Sequence, residues 1–266
     1  MAEMTMRATE SRMAHYVPRL GFWLAVLAGL MLAALPIGWR TGLLFFRDGF
    51  TYLMRPAVFV GVAAAVVSLI ALFWWGRMNR GGRVMALLGL AAGLVFVYYP
   101  LQFYAKLYPI PLVNNVPLPR IHDITTDVEN PPAFAATLAA REGEKGSNTV
   151  AYGGAALARA QHDGYPDIVP LMTKLAPDYA FKQALATAQG MSGWTIVKSD
   201  PAAHTIEGSQ RSLFMGFTDD FVIRVSADGT GSRIDMRSES RWGISDFGVN
   251  AGRIRAYMAA LKPKLS

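Results

Sequence analysis

The sequence predicts an α-helical membrane region of three transmembrane helices followed by an α+β soluble domain with an antiparallel sheet. Three observations carry that prediction. Long apolar runs crowd residues 20–104, in a chain that is 52% hydrophobic and only 17% charged, against about 25% charged residues in an ordinary soluble domain. The basic excess is confined to that same half. From Tyr165 onward, hydrophobic periods of two and of three to four residues alternate between turn signals, as strands and packed helices require.

The split of charge is informative. Residues 1–108 hold ten Lys/Arg against Glu3, Glu10 and Asp48, a balance of +7, while residues 109–266 hold sixteen of each sign. The excess flanks apolar segments and is absent from the soluble half, which argues for membrane flanks and against nucleic acid as a partner. With no cysteine, a disulfide-stapled scaffold is excluded.

Three segments meet the length needed for a ~30 Å hydrocarbon core, about 20 residues of helix. Leu20–Trp39 carries Trp23 and Trp39 toward its ends. Ala57–Trp75 is interrupted only by Gly61 and Ser68. Val84–Phe103 ends near Tyr98-Tyr99-Pro100, an aromatic exit suited to the headgroup region. No charge falls inside any of them. The first span is too long for a cleaved leader and runs directly toward two more.

Orientation rests on the short Gly76–Arg83 loop, with three Arg in eight residues, and on the three Arg of the N-terminal tail. The positive-inside rule then puts the N-terminus in the cytoplasm and residues 109–266 outside. In the first loop, Leu43, Phe46, Phe50 and Leu53 recur at helical spacing. That suits a short amphipathic helix on the bilayer surface, or equally a plain loop with anchoring aromatics.

Residues 105–133 read as a connector rich in proline (Pro109, Pro111, Pro117, Pro119, Pro131, Pro132), extended and semi-rigid. The domain proper is expected over 134–266. Pro177–Met191 is a helix, broken at Gly193. Trp194–Ser199 and His204–Arg211 alternate as strands around Asp200-Pro201. Asp220–Ser226 and Ser232–Glu239 flank Asp228-Gly229-Thr230-Gly231, a hairpin signal. Phe221, Ile223 and Val225 share a face with Ile234, Met236 and Ser238. The other face carries Asp220, Arg224, Arg233, Asp235, Arg237 and Glu239, and Arg224 lies across from Asp235. Ile254, Tyr257, Met258 and Leu261 make Ala251–Lys262 an amphipathic closing helix.

The word Arg237-Ser238-Glu239-Ser240-Arg241-Trp242-Gly243-Ile244-Ser245-Asp246-Phe247-Gly248-Val249-Asn250, with Asp219–Arg224 before it and Arg253-Ile254 after it, resembles the DUF1499 family. So many fixed polar and glycine positions seldom coincide. The resemblance covers about residues 120–262. Asp123-Ile124-Thr125-Thr126-Asp127 and Asn130-Pro131-Pro132 resemble the longer, membrane-attached bacterial members. Many shorter members have a cysteine in an Asn-Cys-Val-Ser-Ser word, and thiol chemistry cannot be carried to this cysteine-free chain. The resemblance implies a fold and no activity.

The signature admits three readings. It can be architectural: Gly243 and Gly248 permit a sharp strand-to-helix path. Ser245, Asp246 or Asn250 would cap the last helix, and Arg237 and Arg241 would pair with Asp219, Asp220 or Asp246. It can be a polar pocket, in which Arg237, Ser240, Arg241, Ser245, Asp246, Asn250 and Arg253 hold a carboxylate or phosphate. Or Asp219, Asp220 or Asp246 can act as acid or base in a membrane-tethered hydrolase. Adjacent strand residues point to opposite faces, so Asp219 and Asp220 are not expected to act jointly.

There is no GxSxG, HExxH, P-loop or strand-linked GxGxxG. His15, His122, His162 and His204 are scattered without a second ligand at metal spacing, so neither a metal site nor a cofactor is expected. The expected protein is a multi-pass inner-membrane protein of a bacterium. Its periplasmic domain would bind an anionic small molecule, a lipid headgroup or an envelope protein, with the bilayer itself as the other partner.

Overall fold

The computed structural model describes residues 2–107, 118–144 and 146–265. The chain divides into two compact units, Met1–Ala105 and Lys106–Ser266. In the first, α1 (Ala2–Arg40) is followed by α2 (Phe46–Gly49), a π-helical turn over Phe50–Met54, α3 (Arg55–Ala71) and a 3-10 segment to Arg77. Then α4 (Arg80–Leu107) begins. Three helical stretches, Arg12–Arg40, Phe46–Arg77 and Arg80–Gln102, are long and apolar enough to cross a membrane. Phe46, Phe50 and Leu53 of the first loop belong to the helical run that leads into α3, so they form neither a separate surface helix nor a plain loop.

Close approach of α1, α3 and α4 rests on missing side chains. A Cβ on Gly21 would fall 2.3 Å from Ser68 Oγ, and one on Gly89 would fall 2.4 Å from the same atom and 2.9 Å from the Gly21 carbonyl carbon. Small residues at helix crossings let backbones meet, the packing mode of helices in lipid.

The second unit is an antiparallel sheet with helices and loops on both faces. Its elements are β1 (Asp123–Thr125), α5 (Leu138–Glu142), α6 (Gly154–Gly164), β2 (Leu171–Thr173), α7 (Pro177–Gly190), β3 (Trp194–Asp200), β4 (Thr205–Arg211), β5 (Thr218–Asp228), β6 (Gly231–Ser240) and α8 (Val249–Leu261). The strand order is β1-β6-β5-β4-β3, with β2 also pairing β6. Both short strands line the free edge of β6, β1 at its end and β2 near its start.

The central hairpin has the expected register: Arg224 opposes Asp235 and Phe221 opposes Ser238. Its strands run further than the alternation implied, to the Asp228–Gly231 pair, leaving only Gly229-Thr230 as the turn. The apolar face, with Phe221, Ile223, Val225, Ile234 and Met236, packs against Ala180, Ala184 and Ala188 of α7 and Ile254, Tyr257 and Leu261 of α8.

The opposite face differs from a solvated polar surface. Asp220, Asp235, Arg237 and Glu239 are all buried. Segments 126–144 and 146–153 cover that face. Glu207 of β4 receives hydrogen bonds from the backbone N–H groups of Ala135, Ala136 and Thr137 at 2.9–3.1 Å, pinning the approach to α5. Within the connector expected over 105–133, Asp123–Thr125 is a strand of the sheet and the Pro132 carbonyl accepts from Arg237, while residues 105–107 end α4. Pro109, Pro111 and Pro117 lie outside the described residues.

Candidate functional site

The signature residues fall into two groups on opposite faces of the sheet. On the face covered by segments 126–144 and 146–153, Arg237 makes a two-pronged contact with Asp123 of β1: Nε to Oδ1 at 2.9 Å and Nη2 to Oδ2 at 2.8 Å. Its Nη2 also donates to the Val150 carbonyl at 2.7 Å, and its guanidinium lies 4.9 Å from the Phe134 ring centre. Arg241 grips Asp220 in the same way, at 2.9 and 2.8 Å, and reaches Glu144 at 2.8 Å. Paired N–H···O contacts of this planar kind are the strong, geometrically specific form of the ion pair.

A third arginine completes this layer and had no signal in the sequence. Arg141 of α5 donates Nε to Asp220 Oδ2 at 2.6 Å, so Asp220 receives two guanidinium groups. Arg141 Nη2 stands 3.3 Å from Glu239 Oε2, a charge contact in which neither atom makes a hydrogen bond among the described residues. Both Glu239 oxygens are buried without a hydrogen-bond donor among the described residues. Burial, opposed mainly by the Arg141 charge, pushes the Glu239 carboxyl up to about 7. Burial likewise pushes the neighbouring Tyr152 phenol up to about 12 and lowers His122.

On the other face, Arg253 of α8 donates to Asp219 at 2.6 Å, Gln210 at 2.7 Å and Ser238 at 2.7 Å. Asn250 is fully buried and accepts from Ser238 Oγ at 2.8 Å and from Arg253. It donates to the His122 carbonyl at 2.8 Å and to Ser240 Oγ at 2.9 Å. Asp219 and Asp220, adjacent in β5, thus serve opposite faces, as strand geometry requires.

Asp246 supplies the helix cap. Its Oδ1 accepts the Gly248 N–H at 2.8 Å and its Oδ2 the Asn250 N–H at 2.7 Å. Gly248 sits at φ +84° and Gly243 at +92°, backbone that an L side chain rarely adopts, and Phe247 between them is also left-handed at +55°. Burial raises the Asp246 carboxyl against the pull of those two N–H groups. Ser245 is half-exposed, and its hydroxyl accepts the Phe247 N–H at 3.3 Å.

The seven candidate residues therefore do not converge on one cavity. Ser240, Asp246, Asn250 and Arg253 meet around the start of α8, Arg237 and Arg241 lie behind the sheet, and Ser245 stands on the turn between. Arg237 finds its partner in Asp123, which the spacing of the signature did not suggest, although Asp123 opens the Asp-Ile-Thr-Thr-Asp word. Among the described residues, no group of three or more His, Asp or Glu is placed to hold a metal ion.

The protein family described as "Protein of unknown function (DUF1499)" matches residues 123–261. The chain belongs to the DUF1499 family. The match begins at Asp123, the first residue of β1, so the DUF1499 domain includes the edge strand that holds Arg237. No curated protein matches the chain. Among solved structures, the one described as "Crystal structure of Ara h 8.0201" is 13% identical over 36% of this chain and 93% of its own, with a TM-score of 0.29.

Proposed function

We propose that the protein is a non-enzymatic, multi-pass protein of the bacterial inner membrane, with its DUF1499 domain in the periplasm. The domain binds an anionic lipid headgroup, another anionic ligand or an envelope protein on its exposed surface, and the signature residues hold its framework. One observation carries the framework role given to the signature: its arginines are buried against carboxylates of the chain itself, Arg237 on Asp123, Arg241 on Asp220 and Arg253 on Asp219. Arg237 and Arg241 are each engaged by two oxygens of one carboxylate, and Arg253 by Asp219, Gln210, Ser238 and Asn250, so they offer an anion little that they lack.

The same observation weighs against the hydrolase reading. Asp219, Asp220 and Asp246 are buried and accept hydrogen bonds from arginine or from the helix start, whereas a general base must reach the proton it removes. The raised Asp246 carboxyl favours an acid role, but both of its oxygens cap α8.

Native mass spectrometry of the detergent-purified protein tests the proposal. Any co-purifying anionic ligand should persist in Arg241→Lys in proportion to the folded fraction. Loss of ligand at an unchanged urea midpoint would move Arg237, Ser240, Arg241, Ser245, Asp246, Asn250 and Arg253 into a ligand pocket. For topology, alkaline phosphatase fused after Ser266 should be active and green fluorescent protein there dark; the reverse pattern places the domain in the cytoplasm.

A further inference from the structure

We propose that the turn between β4 and β5, residues 212–217, together with Ile244 docks into the interfacial layer of the lipid bilayer. The inference rests on the reading that the three apolar helices span that bilayer. Leu213 is 93% exposed, Phe214 68% and Ile244 62%, large apolar side chains turned to solvent. The turn is held in shape: the Ser212 N–H donates to the Phe217 carbonyl at 2.8 Å and the Gly216 N–H to the Ser212 carbonyl at 2.9 Å. The other two hairpin turns, Pro201-Ala202-Ala203-His204 and Gly229-Thr230, carry no long apolar side chain.

Where the chain comes into the domain identifies the occupant. The Arg241 N–H donates to the Thr218 carbonyl at 3.1 Å, which sets the Ile244 loop beside the β4–β5 turn, and the Asp246 N–H donates to the Ile121 carbonyl at 3.1 Å. Residues 118–122, through which the chain arrives, thus lie at this same end of the sheet. Only ten residues separate Leu107, the end of the third apolar helix, from Leu118. Even fully extended they reach roughly 35 Å, about the diameter of a domain of this size. A tether of that length limits how far this entry end can lie from the end of the helix, a limit that the opposite end of the sheet does not share. Residues 211–218 contain Arg211 and no acid, and the Arg211 Nε bonds the Gly216 carbonyl at 3.0 Å. That fixes a positive charge at the base of the turn, at the level where anionic headgroups would meet it.

Because the chain has no cysteine, single-cysteine variants carrying an environment-sensitive fluorophore report single sites. The full-length protein would be reconstituted in bilayers of phosphatidylethanolamine and phosphatidylglycerol doped with nitroxide-labelled lipid. Leu69→Cys on α3 serves as the reference for a site in lipid and Thr230→Cys, at the far turn, for a site in water. Probes at Phe214→Cys and Ile244→Cys are expected to show blue-shifted emission and lipid quenching, consistent with an insertion depth of about 5–10 Å. Quenching at Leu69 with Phe214 behaving like Thr230 would overturn the docking and leave the spanning helices standing. Absence of quenching at Leu69 would remove the spanning reading and the docking with it. Shielding of Phe214 from a water-soluble quencher without lipid quenching would mean a protein occupies the site, and would also overturn the proposal.

Discussion

In the helical unit most of the side chains turned inward are small: Ala25, Ala28, Ala57, Ala64, Ser68 and Ala86 are buried, with Leu35 and Met78 the larger ones, while Trp23, Leu30, Phe59, Phe73 and Leu94 are exposed. The domain inverts this arrangement. Ile124, Ile206, Phe221, Met236 and Tyr257 fill its interior, together with Asp220, Asp235, Arg237 and Glu239. In the apolar surroundings proposed for the helical unit, burying a large side chain gains little and helices associate by close backbone packing. Where the surroundings are water, apolar burial drives folding, and charges inside survive only as well-formed pairs. The two interiors should therefore fail by different chemistry when perturbed.

The largest expected effect is in the domain. Asp220→Ala removes the buried carboxylate that Arg141 and Arg241 share, and removing one partner of a buried ion pair costs about 3–5 kcal/mol. The urea midpoint of the domain transition in the detergent-solubilised protein should collapse while the helical content of the N-terminal unit stays. Gly89→Leu should do the reverse. Its Cβ alone meets Ser68 and the Gly21 backbone, and overpacking of this kind costs about 1–3 kcal/mol. Thermal aggregation in detergent should then occur earlier, with the domain midpoint unmoved. Equal effects of both variants on both transitions would erase the contrast.

Arg241→Lys sharpens the comparison on a finer scale. Lysine keeps the charge but loses the planar fork, leaving Asp220 or Glu144 short of a donor. A loss of roughly 1–3 kcal/mol is expected, and an unchanged midpoint would mean that Arg241 does not hold the framework.

Glu239 gives the smallest and most specific effect, a slope with pH. An unfolded glutamate titrates near 4.5, whereas in the fold Glu239 keeps its proton up to about 7. Between those values the folded state binds the extra proton, so this contribution to stability is full below about 4.5 and is lost as pH rises through about 7. Glu239→Gln, which keeps the shape without the charge, should flatten the fall in midpoint across that window. A wild-type slope that persists in the variant would place the titrating group elsewhere.

The residues differ in how plainly they announce their roles. The β5–β6 register can be read from two alternating strands around Gly229-Thr230, and α7 and α8 from their apolar spacing, because those signals are local. β1 and β2 are three residues each and exist only by pairing with β6, a long-range event without a local pattern. The burial of the polar face is equally invisible in the sequence: Arg141 sits 79 positions before Asp220 and Glu207 some 70 after Thr137. The capping role of Asp246 and the need for Gly243 and Gly248 are legible, since turn chemistry is local. The partner of Arg237 is not, because Asp123 lies 114 positions before it.

The central claim is that the signature arginines are structural partners of the chain's own carboxylates. A double-mutant cycle on Arg237→Met and Asp123→Asn, read as urea midpoints of the full-length protein, tests it most directly. Residues that bond as closely as Nε to Oδ1 at 2.9 Å and Nη2 to Oδ2 at 2.8 Å should couple by about 1.5–3 kcal/mol. Single-variant effects that add to within about 0.3–0.5 kcal/mol would contradict the account and free Arg237 for another role.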